Sequence, residues 1–130
     1  MNKHFQVLVI GGGTAGIMVA SQLKKKKPEL SIAIVEPAET HYYQPAWTLV
    51  GANAYKFNDT ARPMASLIPK GVEWIKEYAN EFKPEENIVI TKEGNEIAYD
   101  YLVVVPGLKI APELVEGLQE AMDKGIVRFL

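Results

Sequence analysis

Cysteine is absent from this chain of 130 residues. Disulfide bonds, thiol redox chemistry and thiolate metal sites are therefore excluded within it. No apolar run approaches the roughly 20 residues of a membrane-spanning helix. The apolar stretch Val7–Ile10 follows too short and too weakly basic a start for a signal peptide. These absences predict a cytoplasmic location for the chain.

An excess of positive charge is also lacking. The chain has 14 Lys and Arg against 16 Asp and Glu, which gives a net charge of −2 and no electrostatic reason to expect a nucleic-acid partner. The only dense basic run, Lys24–Lys27, is interpreted as the cationic end of a helix. A hydrophobic fraction of 48% with 23% charged residues is typical of one globular domain.

The first third of the chain has the pattern of a strand, a helix and a second strand. Phe5–Ile10 is a nearly continuous apolar run that ends in glycine, as a buried parallel strand does. From Thr14 to Pro28, apolar residues recur at helical spacing. Ser31–Glu36 is a second buried-strand pattern. The order predicts a right-handed βαβ unit, and so an α/β, Rossmann-like fold with a parallel sheet.

Local patterns predict five further elements: a short helix over 59–69, an extended segment over 71–82, a hairpin around Gly94, a buried strand over 101–105 and a helix over 112–124. An NAD-binding domain usually continues by alternating strands and helices. Here a strand and a hairpin precede the next buried strand. This inserted hairpin favours the topology of a flavoprotein.

The glycines between the first strand and the helix form the pattern G-x-G-x-x-G. In this context Gly11 makes the tight turn, Gly13 lets a pyrophosphate approach the backbone, and Gly16 lets the helix pack closely on the strand. The phosphates would bind the free amides near Thr14 and Ala15 at the start of the helix. The alternative is a glycine-rich turn that binds nothing.

Glu36 is the acidic residue expected about 20 residues beyond such a turn, at the end of the second strand. Its carboxylate can accept hydrogen bonds from both ribose hydroxyls of an adenosine and would repel a 2′-phosphate. The pattern therefore predicts FAD or NAD and disfavours NADP. Taken alone, Glu36 could equally be a solvated strand end.

The segment HYYQPAWTLVG, His41–Gly51, places aromatic rings close together with neither a helical nor an alternating period. Such a segment packs either under a long loop of the protein itself or against a ligand. His41 is interpreted as a hydrogen-bonded structural histidine without a catalytic role.

Four segments carry a resemblance to a known family: VIGGGTAG, IAIVEPAETHYYQPAWTLVGA, RPMASLIPKGVEWIKEYANEF and YDYLVVVPGL. Together they resemble the sulfide:quinone oxidoreductases, in particular the branch that includes the mitochondrial enzymes. The resemblance extends from Phe5 to Val127. That group belongs to the flavoproteins of the disulfide-reductase type, which have two dinucleotide-binding domains, so the resemblance implies FAD as the cofactor.

The resemblance also implies contacts with FAD outside the glycine turn. Gln44 would contact the cofactor, while Pro45 and Trp47 would shape the wall near the isoalloxazine. Ala79 would contact the adenine through its main chain. The turn Pro106–Gly107 would bring the backbone close to FAD, which the absence of a side chain allows.

Members of the family oxidise sulfide at a pair of redox cysteines and pass electrons through FAD to a membrane quinone. Residues 1–130 are therefore interpreted as a single FAD-binding domain, the N-terminal part of a longer flavoprotein that is peripheral to the cytoplasmic membrane. This part has no catalytic residues of its own. The exposed apolar surface expected around Tyr43, Trp47 and Val105 predicts self-association.

Three functions remain open at this point. The first is the FAD-binding part of a sulfide:quinone oxidoreductase. The second is a related flavoprotein such as a type II NADH:quinone oxidoreductase, against which the segment His41–Gly51 argues. The third is a non-catalytic dinucleotide-binding module.

Overall fold

A computed structural model describes residues 3–126 of the chain, so the end of the resemblance at Val127 lies outside the described residues. The strands are β1 (Lys3–Ile10), β2 (Ile32–Val35), β3 (Thr40–Tyr42), β4 (Ala61–Pro63), β5 (Val72–Ile75), β6 (Ala79–Lys83), β7 (Ile88–Thr91) and β8 (Glu96–Val104). The α-helices are α1 (Thr14–Lys26), α2 (Trp47–Gly51) and α3 (Leu118–Asp123). Short 3-10 helices occupy Gln44–Ala46, Phe57–Thr60, Met64–Ser66, Pro84–Glu86 and Pro112–Leu114.

The chain divides into two compact units. Of the described residues, 3–41 and 62–107 form the first unit, and 42–61 and 108–126 form the second. The first unit contains a six-stranded sheet in the order β5-β2-β1-β8-β7-β6. The second unit contains α2, α3 and three of the 3-10 helices.

The four strands β5, β2, β1 and β8 are parallel, and β1 lies at their centre. Within β1, Leu8 and Val9 are fully buried because apolar side chains cover both faces of the sheet. In β2, Ile32–Val35 is buried along its whole length for the same reason. The buried-strand interpretation of both segments is confirmed.

Helix α1 connects β1 to β2 and covers one face of the sheet. Gly16 and Ala20 are its buried residues, and Ala20 packs with the face of β1 that carries Val7 and Val9. At its other end the Nζ of Lys24 donates hydrogen bonds to main-chain carbonyls that follow the helix. The predicted βαβ unit and the α/β, Rossmann-like fold class are confirmed.

The hairpin predicted around Gly94 is present. Strand β7 pairs antiparallel with β6 and β8, and Gly94 has a φ of +84°, which favours glycine in the turn. The segment predicted as extended over 71–82 forms β5 and β6, interrupted at residues 76–78. The inserted hairpin therefore extends the parallel sheet on the side of β8.

Two helix predictions were wrong in part or in whole. The helix predicted over 59–69 is replaced by two 3-10 turns and β4, because Pro63 lacks an N–H and restricts Arg62 to extended backbone. The helix predicted over 112–124 begins only at Leu118, because Gly117 has a φ of +77° and interrupts the segment.

Residues 101–105 were predicted to form a fully buried strand, and the strand is confirmed for residues 101–104, which end β8. The predicted full burial was wrong, because Tyr101 is 71% exposed and Val104 is 50% exposed. Strand β7 pairs with β8 only over Glu96–Ala98, so further along, β8 has only β1 as a paired neighbour among the described residues.

None of the helices within residues 3–126 has the length and apolar character needed to cross a membrane.

The buried centre of β1 should dominate the stability of the first unit. Leu8→Ala removes a fully buried side chain and should lower the free energy of unfolding by about 2–5 kcal/mol. The matched change Leu108→Ala, at a residue that is 93% exposed, should alter it by less than about 0.5 kcal/mol. Urea denaturation of both variants checks this, and equal losses would contradict the core assignment.

Candidate functional site

The turn between β1 and α1 depends on glycine at two positions. Gly11 has a φ of +107°, and a Cβ there would overlap the carbonyl oxygen of Val105. A Cβ on Gly16 would overlap the carbonyl oxygen of Gly11 and would lie 3.2 Å from Cγ1 of Val9. These two glycines are buried and bring the start of α1 against the end of β1.

Gly13 differs from both of them because its surroundings are open. It is exposed, has a φ of −73°, and a Cβ built on it has no neighbouring atom within 4 Å. It is the N-cap of α1, whose N-terminus has no side-chain cap and no acidic residue in its first turn. The exposed residues Thr14 and Ala15 follow at once. This open helix N-terminus fits an anionic group such as a pyrophosphate.

Gly12 occupies the first x of the pattern G-x-G-x-x-G, and the sequence analysis assigned it no role. A Cβ on this buried residue would lie 2.7 Å from Cγ of Glu36. Its N–H donates a 2.8 Å hydrogen bond to Oε2 of Glu36. Glycine at this position therefore lets the acidic residue of β2 lie directly against the turn.

Glu36 is held by hydrogen bonds at its main chain as well as at its carboxylate. Oε1 accepts a 2.8 Å bond from the N–H of Ala38. The N–H of Glu36 donates to the carbonyl of Ile75 at 3.0 Å, and its carbonyl accepts from Nε1 of Trp74 at 2.8 Å. Each carboxylate oxygen retains lone-pair capacity beyond its backbone donor. The carboxylate can therefore still accept hydrogen bonds from sugar hydroxyls.

Trp74 is the second residue that sequence reasoning missed. In the sequence, Trp74 is simply an aromatic residue of an extended segment. Its indole reaches Glu36 because β5 pairs with β2. No local sequence signal identifies this contact.

The turn Pro106–Gly107 follows β8 after one residue, Val105. The N–H of Val105 bonds to the carbonyl of Ile10 at 2.8 Å, which holds the end of β8 beside the end of β1. The Cα of Pro106 lies 3.0 Å from the position of a Cβ on Gly11. Gly107 is exposed and has a φ of +72°, which favours glycine. The structure thus brings this turn to the glycine turn.

Ala79 begins β6 and is half-buried against the core. The segment before it is fixed to the hairpin turn, because Nδ2 of Asn95 bonds both carboxylate oxygens of Glu77 at 3.0 and 3.1 Å. Hydrogen bonds from Thr91 and Asn95 hold the pKa of Glu77 below its usual range. The main chain at Ala79 is therefore anchored on the side of the hairpin.

Gln44 lies in the second unit, as the exposed first residue of a 3-10 helix. Pro45 follows it and is exposed too, while Trp47 is half-buried and donates from Nε1 to Oγ1 of Thr60 at 3.2 Å. Within this unit the rings of Tyr42, Trp47 and Phe57 pack together, with centroids 5.6–6.1 Å apart.

Residues 3–126 contain no group of three or more side chains arranged to bind a metal ion.

A family model supports the interpretation of the turn. The model for the pyridine nucleotide-disulphide oxidoreductases matches residues 5–128, and the chain belongs to this family. Enzymes of this family are FAD-dependent. The glycine turn, the open space at Gly13 and the fixed carboxylate of Glu36 fit the adenosine and pyrophosphate part of FAD.

Sulfide:quinone oxidoreductases are among the relatives of this chain. The mitochondrial enzyme of Dictyostelium discoideum is 50% identical over 120 residues, and the mouse enzyme is 44% identical over 118 residues. These alignments cover 92% and 91% of this chain but only 26% of each relative. The crystal structure of the Aquifex aeolicus enzyme matches with a TM-score of 0.74 at 38% identity, over 91% of this chain and 27% of that one. The resemblance found in the sequence is confirmed.

The buried Gly16 and the exposed Gly13 should differ in how much substitution by alanine changes the stability of the protein. Gly16→Ala should destabilise the protein by at least about 1–3 kcal/mol, because the methyl group overlaps the carbonyl of Gly11. Gly13→Ala should change stability by less than about 1 kcal/mol, because the added methyl meets no atom within 4 Å. Thermal denaturation of both variants checks this, and equal destabilisation would contradict the geometry of the turn.

Proposed function

We propose that this chain is the FAD-binding part of a sulfide:quinone oxidoreductase, with residues 1–130 forming one FAD-binding domain of a longer flavoprotein. The observation that carries the proposal is the hydrogen bond between the N–H of Gly12 and the carboxylate of Glu36. It joins the phosphate-binding turn to the acidic residue that accepts the ribose hydroxyls. Relatives at 38–50% identity support sulfide and quinone as the substrates of the complete enzyme.

Each predicted contact has a part in this proposal. The pyrophosphate binds at Gly13 and the amides of Thr14 and Ala15, where α1 has no cap of its own. Glu36 accepts the ribose hydroxyls. The main chain of Ala79 contacts the adenine.

The flavin half of the cofactor involves the remaining residues. The turn Pro106–Gly107 approaches the cofactor beside Gly11. The resemblance to the family is what supports Gln44 as a further contact with FAD, and Pro45 and Trp47 as wall residues near the isoalloxazine. FAD, when bound, accepts two electrons from sulfide oxidation and passes them to quinone.

The catalytic chemistry of sulfide oxidation is assigned to the rest of the longer enzyme. A disulfide that sulfide can attack and a thiol that resolves the product are both required, and this chain has no cysteine. We place the chain alone in the cytoplasm and the complete enzyme on the surface of the cytoplasmic membrane, where its electrons reach quinone. A nucleic-acid partner is not proposed, because the net charge is −2.

Self-association is the remaining part of the proposal. Tyr43 is 51% exposed, whereas Trp47 and Val105 are half-buried. The exposed ring of Tyr43 favours a contact with a second copy of the chain, to which the half-buried Trp47 and Val105 would contribute less.

Blocking the space at Gly13 tests the proposed cofactor site. Gly13→Val should weaken FAD and ADP binding at least about tenfold while the protein stays folded, because the branched side chain occupies the space of the pyrophosphate. Isothermal titration with ADP measures the affinity. The control Gln119→Val adds the same side chain to the exposed face of α3 and should leave the affinity unchanged. Undiminished ADP binding by Gly13→Val would contradict the assignment of the turn.

The chain supplied with FAD should not reduce quinone with sulfide. An assay of sulfide-dependent reduction of a soluble quinone should give the rate of a control without protein. A rate that increases in proportion to the concentration of the chain would overturn the assignment of sulfide oxidation to cysteines elsewhere in the enzyme.

A further inference from the structure

Trp74 joins the edge strand β5 to the residue proposed to bind the ribose. It lies opposite Ile34 in the pairing of β5 with β2, and its Nε1 donates a 2.8 Å hydrogen bond to the carbonyl of Glu36. The next residue of β5, Ile75, accepts from the N–H of Glu36 at 3.0 Å. Both main-chain polar groups of Glu36 are therefore fixed by β5.

The indole of Trp74 is itself held in place. Nζ of Lys76 lies 4.4 Å from the centroid of the Trp74 ring and bonds Oε1 of Glu39 at 3.0 Å. The pair of Lys76 and Glu39 is exposed, so it contributes little stability. The cation lies over one face of the ring and favours the orientation in which Nε1 bonds the carbonyl of Glu36.

We infer that Trp74 is a positioning residue for adenosine recognition. Because the main chain of Glu36 is fixed by β5, its side chain leaves the backbone in one direction, toward the N–H of Gly12. The carboxylate is then pre-organised to accept the ribose hydroxyls without a further cost of ordering. This inference rests on the proposed function of the glycine turn, and it adds a residue that contacts no part of the ligand.

Removing the indole donor tests this inference. Trp74→Phe keeps an aromatic ring beside Lys76 and removes the five-membered part of the indole, including the N–H that bonds Glu36. ADP affinity, measured by isothermal titration of the chain, should fall about fivefold, the usual effect of losing one neutral hydrogen bond. Ser66→Ala, which also deletes one side-chain donor to a main-chain carbonyl, should leave ADP affinity unchanged.

A double-mutant cycle separates positioning from a general loss of structure. In a Glu36→Ala background, Trp74→Phe should cause no further loss of ADP affinity, because the carboxylate that it positions is absent. An equal fivefold loss in both backgrounds would overturn the inference and assign Trp74 a purely structural role. Unchanged affinity in Trp74→Phe alone would overturn it as well, while leaving the proposed function intact.

Two further outcomes complete the test. If Trp74→Phe does not fold, Lys76→Met decides instead: it frees the ring and should weaken ADP binding about twofold, only when Glu36 is present. Equal affinity of Lys76→Met and the unaltered chain would then overturn the inference. Failure of the unaltered chain to bind ADP would overturn the proposed function, and the inference with it.

Discussion

Gly16 lies so close to the carbonyl of Gly11 that only a hydrogen atom fits between the helix and the turn. This approach brings the first turn of α1 against the end of β1 and leaves the N-terminal amides facing outward at Gly13. Any side chain at Gly16 would move the helix from the strand, and the geometry that we propose to bind the phosphates depends on that contact.

The carboxyl ends of three parallel strands meet at this edge of the sheet. Strand β1 leads into the glycine turn, β2 ends before Glu36, and β8 ends before the turn Pro106–Gly107. Ligands of open α/β sheets bind at the carboxyl ends of the strands. Hydrogen bonds from the main-chain N–H groups of Gly12 and Ala38 hold the carboxylate of Glu36 at this edge.

Local sequence patterns predicted the parts of the fold that local physics determines. The βαβ unit, the spacing from the glycines to Glu36 and the hairpin turn at Gly94 follow from periodicity and from residues with special backbone conformations. Gly12 and Trp74 escaped prediction because their importance comes from contacts with Glu36, 24 and 38 residues away along the chain.

The errors have a related cause. Tyr101 begins an apolar stretch of the kind that usually forms a buried strand. Its exposure nevertheless depends on which strands pair with β8, and the sequence near Tyr101 does not specify these. The interruption of the helix at Gly117 depends on a left-handed backbone conformation that glycine permits without requiring it. Burial and backbone choice at such positions are decided by tertiary structure.

The central claim is that the glycine turn and Glu36 together bind an adenosine diphosphate. Nuclear magnetic resonance mapping of ADP binding tests this claim most directly. The largest shifts of amide signals on titration with ADP should occur at residues 12–15 and at Glu36, with little change at the hairpin turn around Gly94. Saturable binding whose largest shifts lie elsewhere, with the amides of residues 12–15 unchanged, would contradict the account.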